Sequence, residues 1–379
     1  MMTAMKLTDL ETPALVLDVT KTDRNIARLR TRLAALGVRA RPHLKTGKSI
    51  EVALRMLDAP NAPAAVSTLK EVEQFAAAGL SDLLYAVGLA PNKFEHVHRL
   101  RAQGVNLCVV IDNEHSAALL AAHAHASGDR VPVLIEIDSD GHRCGAKPGS
   151  DELLRIAEHL GSDCELRGVM THAGASYGCF DDDAKVRMAE QERAAAFTSA
   201  QALRAAGHPA PVVSVGSTPT ALFARSLDGV TEVRAGVYVF SDLVMAGLGV
   251  GSVDDIALSV LASVIGHQRE KGWIVVDAGW MAMSRDRGTA VHPIDQGYGL
   301  VCDVGGAPMH DLIMVAANQE HGILAVRPGT GRVLPELPIG TLLRILPNHA
   351  CATAAQFDRY HVVEGADAVV AQWPRFSGW

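Results

Sequence analysis

The sequence predicts a parallel (β/α)8 barrel of the TIM type followed by a second, mainly β domain. Apolar runs of five to eight residues rich in Val, Ile and Leu begin near positions 38, 64, 82, 106, 131, 166, 211 and 232, with helical stretches such as 113–126 and 184–206 between them. Strands apolar on both faces and alternating with helices belong to a parallel sheet, and eight such units match a closed barrel. An open doubly wound sheet is the competing arrangement, but no Gly-x-Gly-x-x-Gly turn follows the first strand. After about Gly251 the texture changes: short strands at 273–277, 323–327, 341–346 and 361–364 are separated by Gly/Pro turns, with no helices of matching length. The expected division is a barrel over 20–250 and a β domain over 251–379. Residues 1–19 go with the β domain, because the strand at 13–19 is surplus to the eight.

Composition sets the class. The chain has 379 residues, 48% hydrophobic but only 4% aromatic, with 34 glycines, which fits a large aliphatic α/β core. A net charge of −7 without any basic block argues against a nucleic-acid partner. Cysteines 108, 144, 164, 179, 302 and 351 are scattered without a Cys-x-x-Cys pair, so reduced thiols in a cytoplasmic protein are expected and no disulfide frame. Residues 1–11 lack the apolar stretch of a signal peptide, and no run is long enough to span a bilayer. A soluble, unprocessed protein away from membranes is the expectation.

Taken in order, residues 13–19 read as a strand and 23–36 as a helix with the apolar stripe Ile26, Leu29, Leu33 and Leu36, stopped by Gly37. The next strand runs into Arg41-Pro42-His43-Leu44-Lys45-Thr46-Gly47-Lys48. A lysine at the C-terminal end of a barrel strand stands where barrel chemistry is done, and burial there lowers its pKa so that the amine can form a Schiff base. Lys45 takes that role, while Lys48 reads as a solvated surface lysine.

The fifth strand runs into Asp138-Ser139-Asp140-Gly141-His142-Arg143-Cys144-Gly145, and the sixth ends Thr171-His172-Ala173-Gly174-Ala175-Ser176-Tyr177. Strand seven ends Gly216-Ser217-Thr218-Pro219 before a helix, where hydroxyls and free N–H groups suit a phosphate, although Ser-Thr-Pro is also an ordinary helix cap. The last barrel strand gives Val233-Arg234-Ala235-Gly236-Val237-Tyr238, whose glycine permits close backbone approach. A lysine, a phosphate site, arginines, a histidine and a tyrosine at successive strand ends describe a pocket for pyridoxal phosphate (PLP).

Together, Pro-His-x-Lys, Asp-Gly-His-Arg-x-Gly, Thr-His-Ala-Gly, Gly-Ser-Thr-Pro and Val-Arg-Ala-Gly-Val-Tyr resemble the D-serine dehydratase and D-threonine aldolase family of alanine-racemase-type (fold type III) PLP enzymes. The resemblance spans nearly the whole chain. It implies that Lys45 holds PLP covalently and serves as the base at Cα, that His172 stacks on the pyridine ring, and that Arg143 lies near the phenolic oxygen. Arg234 would stand near the pyridine nitrogen, a position where the aldolase branch resembles a glutamine. Gly216, Ser217, Thr218 and Tyr238 would hold the phosphate, with Tyr177 and Gly236 completing the cofactor pocket.

In the β domain, His349-Ala350-Cys351 follows a strand. In an extended segment residues i and i+2 point to the same side, so an imidazole and a thiol there can share one ion. Alone, His-x-Cys is a weak metal signal; the resemblance implies a divalent metal here, Zn2+ or Mn2+, where the aldolases carry His-x-Asp. Arg285, Arg287 and His321 admit two readings, as substrate or near-metal residues or as solvated loop groups. The resemblance further implies a homodimer and a dehydration: water is eliminated from a D-3-hydroxy amino acid, D-threo-3-hydroxyaspartate or D-serine, giving a 2-oxo acid and ammonia. Retro-aldol cleavage by the same parts is the alternative within enzymes. A non-catalytic PLP carrier is the alternative outside them, and the second domain argues against it.

Overall fold

The computed structural model describes residues 5–379 except residues 60 and 366 and the side chain of residue 310. It forms two compact units, one of Met1–Ala27 with Val237–Ser377, the other of Arg28–Gly236 with Gly378–Trp379. The C-terminal part of the first unit therefore begins at Val237, ahead of the change in texture near Gly251.

Strand β1 (Ala14–Asp18) is wholly buried and belongs to the sheet of the first unit. The chain then enters the second unit, where β2 (Arg39–Ala40), β3 (Ala64–Val66), β4 (Asp82–Gly88), β5 (Asn106–Ile111), β6 (Pro132–Ile137), β7 (Glu165–Thr171), β8 (Val212–Val215) and β9 (Glu232–Val233) form one parallel sheet in the order β2-β9-β8-β7-β6-β5-β4-β3. Its two ends meet: Leu44 donates its N–H to Ala65 O at 2.8 Å, and Ala65 donates to Pro42 O at 2.9 Å. Eight strands thus close into a barrel. One face carries Ala65, Leu84, Cys108, Val110, Leu134 and Met170 as an apolar cluster. Across β6 to β9 the partners Glu136, Met170, Ser214 and Glu232 lie in one row, so polar groups share that face. Arg41 donates to Glu232 at 2.8 Å and to Asp82 at 2.8 Å, which compensates the buried carboxylate of Glu232. Helices form where caps and pattern agree. Asn113, Ser150 and Asp181 each cap the helix that follows them by accepting a backbone N–H.

In the first unit the order is β11-β14-β13-β12-β15-β10-β1-β16-β17, from β10 (Leu258–Gln268), β11 (Trp273–Val276), β12 (Leu300–Asp303), β13 (Pro308–Ala317), β14 (Gly322–Val326), β15 (Leu342–Leu346), β16 (Arg359–Val363) and β17 (Val369–Pro374). β10 is 11 residues long, enough to pair with β1, then β15, then β11, so that it closes a ring of antiparallel strands. β1 lies between β10 and β16. Leu243, Ile256, Leu300, Cys302, Ile313 and Leu346 form an apolar cluster of this unit. All six cysteines are free thiols. Among the described residues no helix is long and apolar enough to cross a membrane.

Candidate active site

In the barrel unit, Lys45 follows β2 in a turn and is exposed, contrary to the expectation of a buried amine. The roles of the two lysines in burial are reversed. Lys48, at φ +43°, has a side chain only 16% exposed and pairs with fully buried Glu71 at 3.2 Å. His43, two residues before Lys45, keeps Nε2 at 3.4 Å from Ser67 Oγ, while its buried Nδ1 has no partner among the described residues. Burial, joined by the charges of Lys45, Arg234 and Arg143, holds its imidazole well below the usual histidine range. The same charges bear on His172, so these groups stand together at the strand ends.

His172 directs Nδ1 at the carbonyl oxygen of Gly216, 2.7 Å away. A carbonyl only accepts, so Nδ1 carries the hydrogen and Nε2 is left as a lone-pair nitrogen. Burial first, then the charge of Arg143, lowers the His172 pKa to about 3, which keeps the ring neutral. Tyr177 tilts against it with ring centroids 6.3 Å apart. Arg143 is exposed on its loop. Asp138 braces that loop by accepting Gly141 N–H at 2.6 Å and by an ion pair with Lys147.

Gly216 has φ +147°, and a Cβ there would stand 1.8 Å from Arg234 O, so only glycine fits. Ser217 caps the next turn by accepting from Thr220 N–H at 3.2 Å, and it meets Ser176 Oγ at 2.8 Å. Thr218 is 2% exposed, and its hydroxyl oxygen is buried without a partner. Arg234, 4% exposed, donates to Ser214 Oγ and to Thr171 O, each at 2.6 Å. Gly236 packs so closely that a Cβ would lie 3.1 Å from His43 O. Tyr238 is buried but belongs to the β unit. Thr218 Oγ1 and His43 Nδ1 are polar atoms buried with nothing to bond, as expected of a pocket shaped for a polar cofactor.

In the β unit, His349 and Cys351 hydrogen-bond each other through their side chains. They do not meet by strand alternation, because Ala350–Ala354 is a helical turn that contains Cys351. His349 Nδ1 bonds Asp286 Oδ2 at 2.9 Å, which fixes the orientation of the ring. Burial opposes charge on His349, yet the bonds to Asp286 and Cys351 outweigh it and raise the pKa to about 11. Asp286 is itself fixed by Gly288 N–H at 2.8 Å, after Ser284 at φ +69°. Sequence reasoning gave Asp286 no role, since nothing in the string ties it to a histidine 63 positions on. Asp242, 1% exposed, accepts Ala350 N–H at 3.0 Å, and burial raises its pKa to about 6.

The tentative substrate residues fare differently. Arg285 is exposed and stacks its guanidinium 4.2 Å from the Trp280 ring. Arg287 is engaged by Asp295 at 2.7 Å. His321 is exposed on a loop. Among the described residues no three His, Cys, Asp or Glu side chains converge as a metal cluster.

Comparison with known proteins bears on this geometry. Residues 17–243 match the family described as alanine racemase, N-terminal domain, and residues 257–363 match the putative serine dehydratase domain. The D-threo-3-hydroxyaspartate dehydratase of Delftia sp. (strain HT23) is 53% identical over 98% of this chain and 99% of its own. Its solved structure superposes with a TM-score of 0.94 at 52% identity, covering 99% of this chain and 100% of that one. A cysteine-to-alanine mutant of a D-threo-3-hydroxyaspartate dehydratase in the metal-free form gives a TM-score of 0.95 at 52% identity, covering 99% of this chain and 100% of that one. The D-serine dehydratase of Dictyostelium discoideum is 28% identical over 98% of each chain. The D-threonine aldolase of Filomicrobium marinum has a TM-score of 0.81 at 26% identity, covering 98% of this chain and 96% of that one.

Proposed function

We propose that this chain, which belongs to the family joining an alanine racemase N-terminal domain to a serine dehydratase domain, is a lyase that dehydrates D-3-hydroxy amino acids, with PLP and a divalent metal ion as cofactors. D-threo-3-hydroxyaspartate is the first substrate, giving oxaloacetate and ammonia, and D-serine gives pyruvate more slowly. The observation that carries this is the 53% identity, end to end, to a D-threo-3-hydroxyaspartate dehydratase.

Bound PLP supplies an electron sink for the pair freed at Cα, and the ion supplies Lewis acidity to the departing hydroxyl. Lys45 anchors the cofactor through Nζ and takes the α-proton. Thr218 Oγ1, Ser217 and the Gly216 backbone hold the phosphate, for which the orphaned Thr218 hydroxyl is the support. His172, neutral and pinned to Gly216 O, would present a flat uncharged ring to the pyridine. Arg143, exposed on its loop, would hold the phenolic oxygen. Arg234, which spends two N–H groups on Ser214 and Thr171, would offer a fixed charge to the pyridine nitrogen. Tyr177, Gly236 and Tyr238 complete the cofactor residues. His349 and the Cys351 thiolate would hold the ion, in place of the hydrogen bond they now share. Imidazole and thiolate favour zinc, with manganese as the second candidate. A D-threo-3-hydroxyaspartate dehydratase described in a metal-free form supports a metal cofactor. Arg285 keeps its exposed guanidinium for a substrate carboxylate; Arg287, already paired, is the weaker candidate. The proposal includes a homodimer and a cytoplasmic setting, the latter supported by six free thiols.

The test is metal dependence and stereochemistry together. A chelator should stop ammonia release from D-threo-3-hydroxyaspartate, Zn2+ or Mn2+ should restore it, and the L-isomers should be inert. Undiminished release in chelator, or turnover of an L-isomer, would remove the proposal.

A further inference from the structure

Glu192 lies in the middle of the helix Asp182–Ala205 and is 2% exposed. Its Oε1 atom accepts two backbone N–H groups from two different loops, Ala173 at 2.8 Å and Gly216 at 3.0 Å. The Thr220 hydroxyl bonds the same carboxylate. Ala173 directly follows His172, and His172 Nδ1 returns to the carbonyl of Gly216 at 2.7 Å. The contacts therefore close on themselves, from Glu192 through Ala173 and His172 to Gly216 and back. Burial raises the Glu192 pKa, while these donors and the charge of Arg234 work the other way.

We propose that Glu192 is a positioning residue that ties the loop after β7 to the loop after β8, fixing the distance between the His172 ring and the Gly216–Thr218 phosphate donors. This rests on the reading of those loops as the PLP site. Physical chemistry favours a carboxylate here. Both N–H groups are buried in irregular backbone and need an acceptor, and an ionised oxygen accepts two donors more strongly than a neutral amide does. The helix gives that oxygen a rigid mount which neither loop provides. Without it, each loop keeps its own residues but loses the common reference that sets one against the other. The role is distinct from filling space, which an apolar side chain of the same volume would do equally well.

The experiment uses the full-length holoenzyme and follows visible cofactor absorption on serial dilution, with the circular dichroism of the bound cofactor as a second readout. Glu192→Gln preserves shape and weakens the acceptor; Glu192→Leu removes it. Leu203→Ala, which opens a cavity at a fully buried position of the same helix, is the stability control. Glu192→Gln should weaken PLP retention about tenfold and alter the circular dichroism band, and Glu192→Leu should weaken it by a further factor of about ten. Leu203→Ala should lower the thermal midpoint and leave both cofactor readouts at wild-type values. If Glu192→Gln keeps wild-type PLP retention and dichroism, whether or not it loses thermal stability as Leu203→Ala does, Glu192 is only a structural residue and the inference fails. Should Glu192→Leu not fold, Glu192→Gln decides alone. A wild-type protein that binds no PLP would instead overturn the reading of the site, a separate outcome.

Discussion

Replacing Gly216 with alanine is the sharpest structural perturbation of the proposed phosphate loop. The new Cβ would stand 1.8 Å from Arg234 O and 2.6 Å from Arg234 C, both backbone atoms that cannot rotate away. Relief requires the loop to shift by roughly 1.2 Å, and the residue would still hold φ +147°, which costs about 1–3 kcal/mol for a side chain-bearing residue. A shift of that size breaks the Gly216 N–H bond to Glu192 and the His172 bond to Gly216 O. At about 1–1.5 kcal/mol for each bond, the loss is about 2–3 kcal/mol, or roughly 30- to 150-fold in PLP affinity. Titration of the variant with PLP, read by visible absorption, measures it directly, and a thermal scan of the apo-protein separates cofactor loss from unfolding. A folded Gly216→Ala protein with wild-type PLP affinity would refute the assignment of this loop to the phosphate.

Three further predictions follow from single contacts. Lys45→Ala should abolish the visible absorption of the lysine-bound cofactor and all turnover while the fold persists, and a borohydride-trapped adduct on another lysine would contradict it. Asp286→Asn should lower metal content after dialysis, by about 10- to 100-fold in affinity, while cofactor absorption stays, because Asp286 fixes the His349 ring; unchanged metal retention would show that His349 needs no such partner. His172 has a folded pKa of about 3, below its unfolded value, so the unfolded chain binds the extra proton between the two. Its stabilising contribution is complete above pH ~6.5 and is lost as pH falls toward 3, amounting to about 2 kcal/mol by pH 5. The thermal midpoint should therefore drop less on acidification in His172→Gln than in the wild type, and parallel curves would argue against a buried neutral ring.

The barrel was legible because its strands are apolar on both faces and its chemistry sits at strand ends, where motif and position reinforce each other. What escaped the sequence depends on tertiary context. Lys45 and Lys48 differ in burial because Lys48 pairs with the buried Glu71 in the helix Leu69–Ala77, a contact that no local pattern shows. His349 and Cys351 meet through a helical turn instead of an extended segment, since the strand ends at Leu346, short of both. β10 went unnoticed because its burial fades along its length, so its far end reads as surface. Glu192 looks like a solvated charge between Gln191 and Arg193. A signal was there: positions 189, 192, 196, 199 and 203 form one buried stripe of that helix, and Glu192 is its single acid.

The central claim concerns which bond breaks, and product analysis with D-threo-3-hydroxyaspartate decides it. The account predicts one ammonia and one oxaloacetate per substrate consumed, with no glycine, because the hydroxyl leaves and Cα–Cβ stays intact. Glycine and glyoxylate accumulating without ammonia would place the chain with the aldolases and contradict the account.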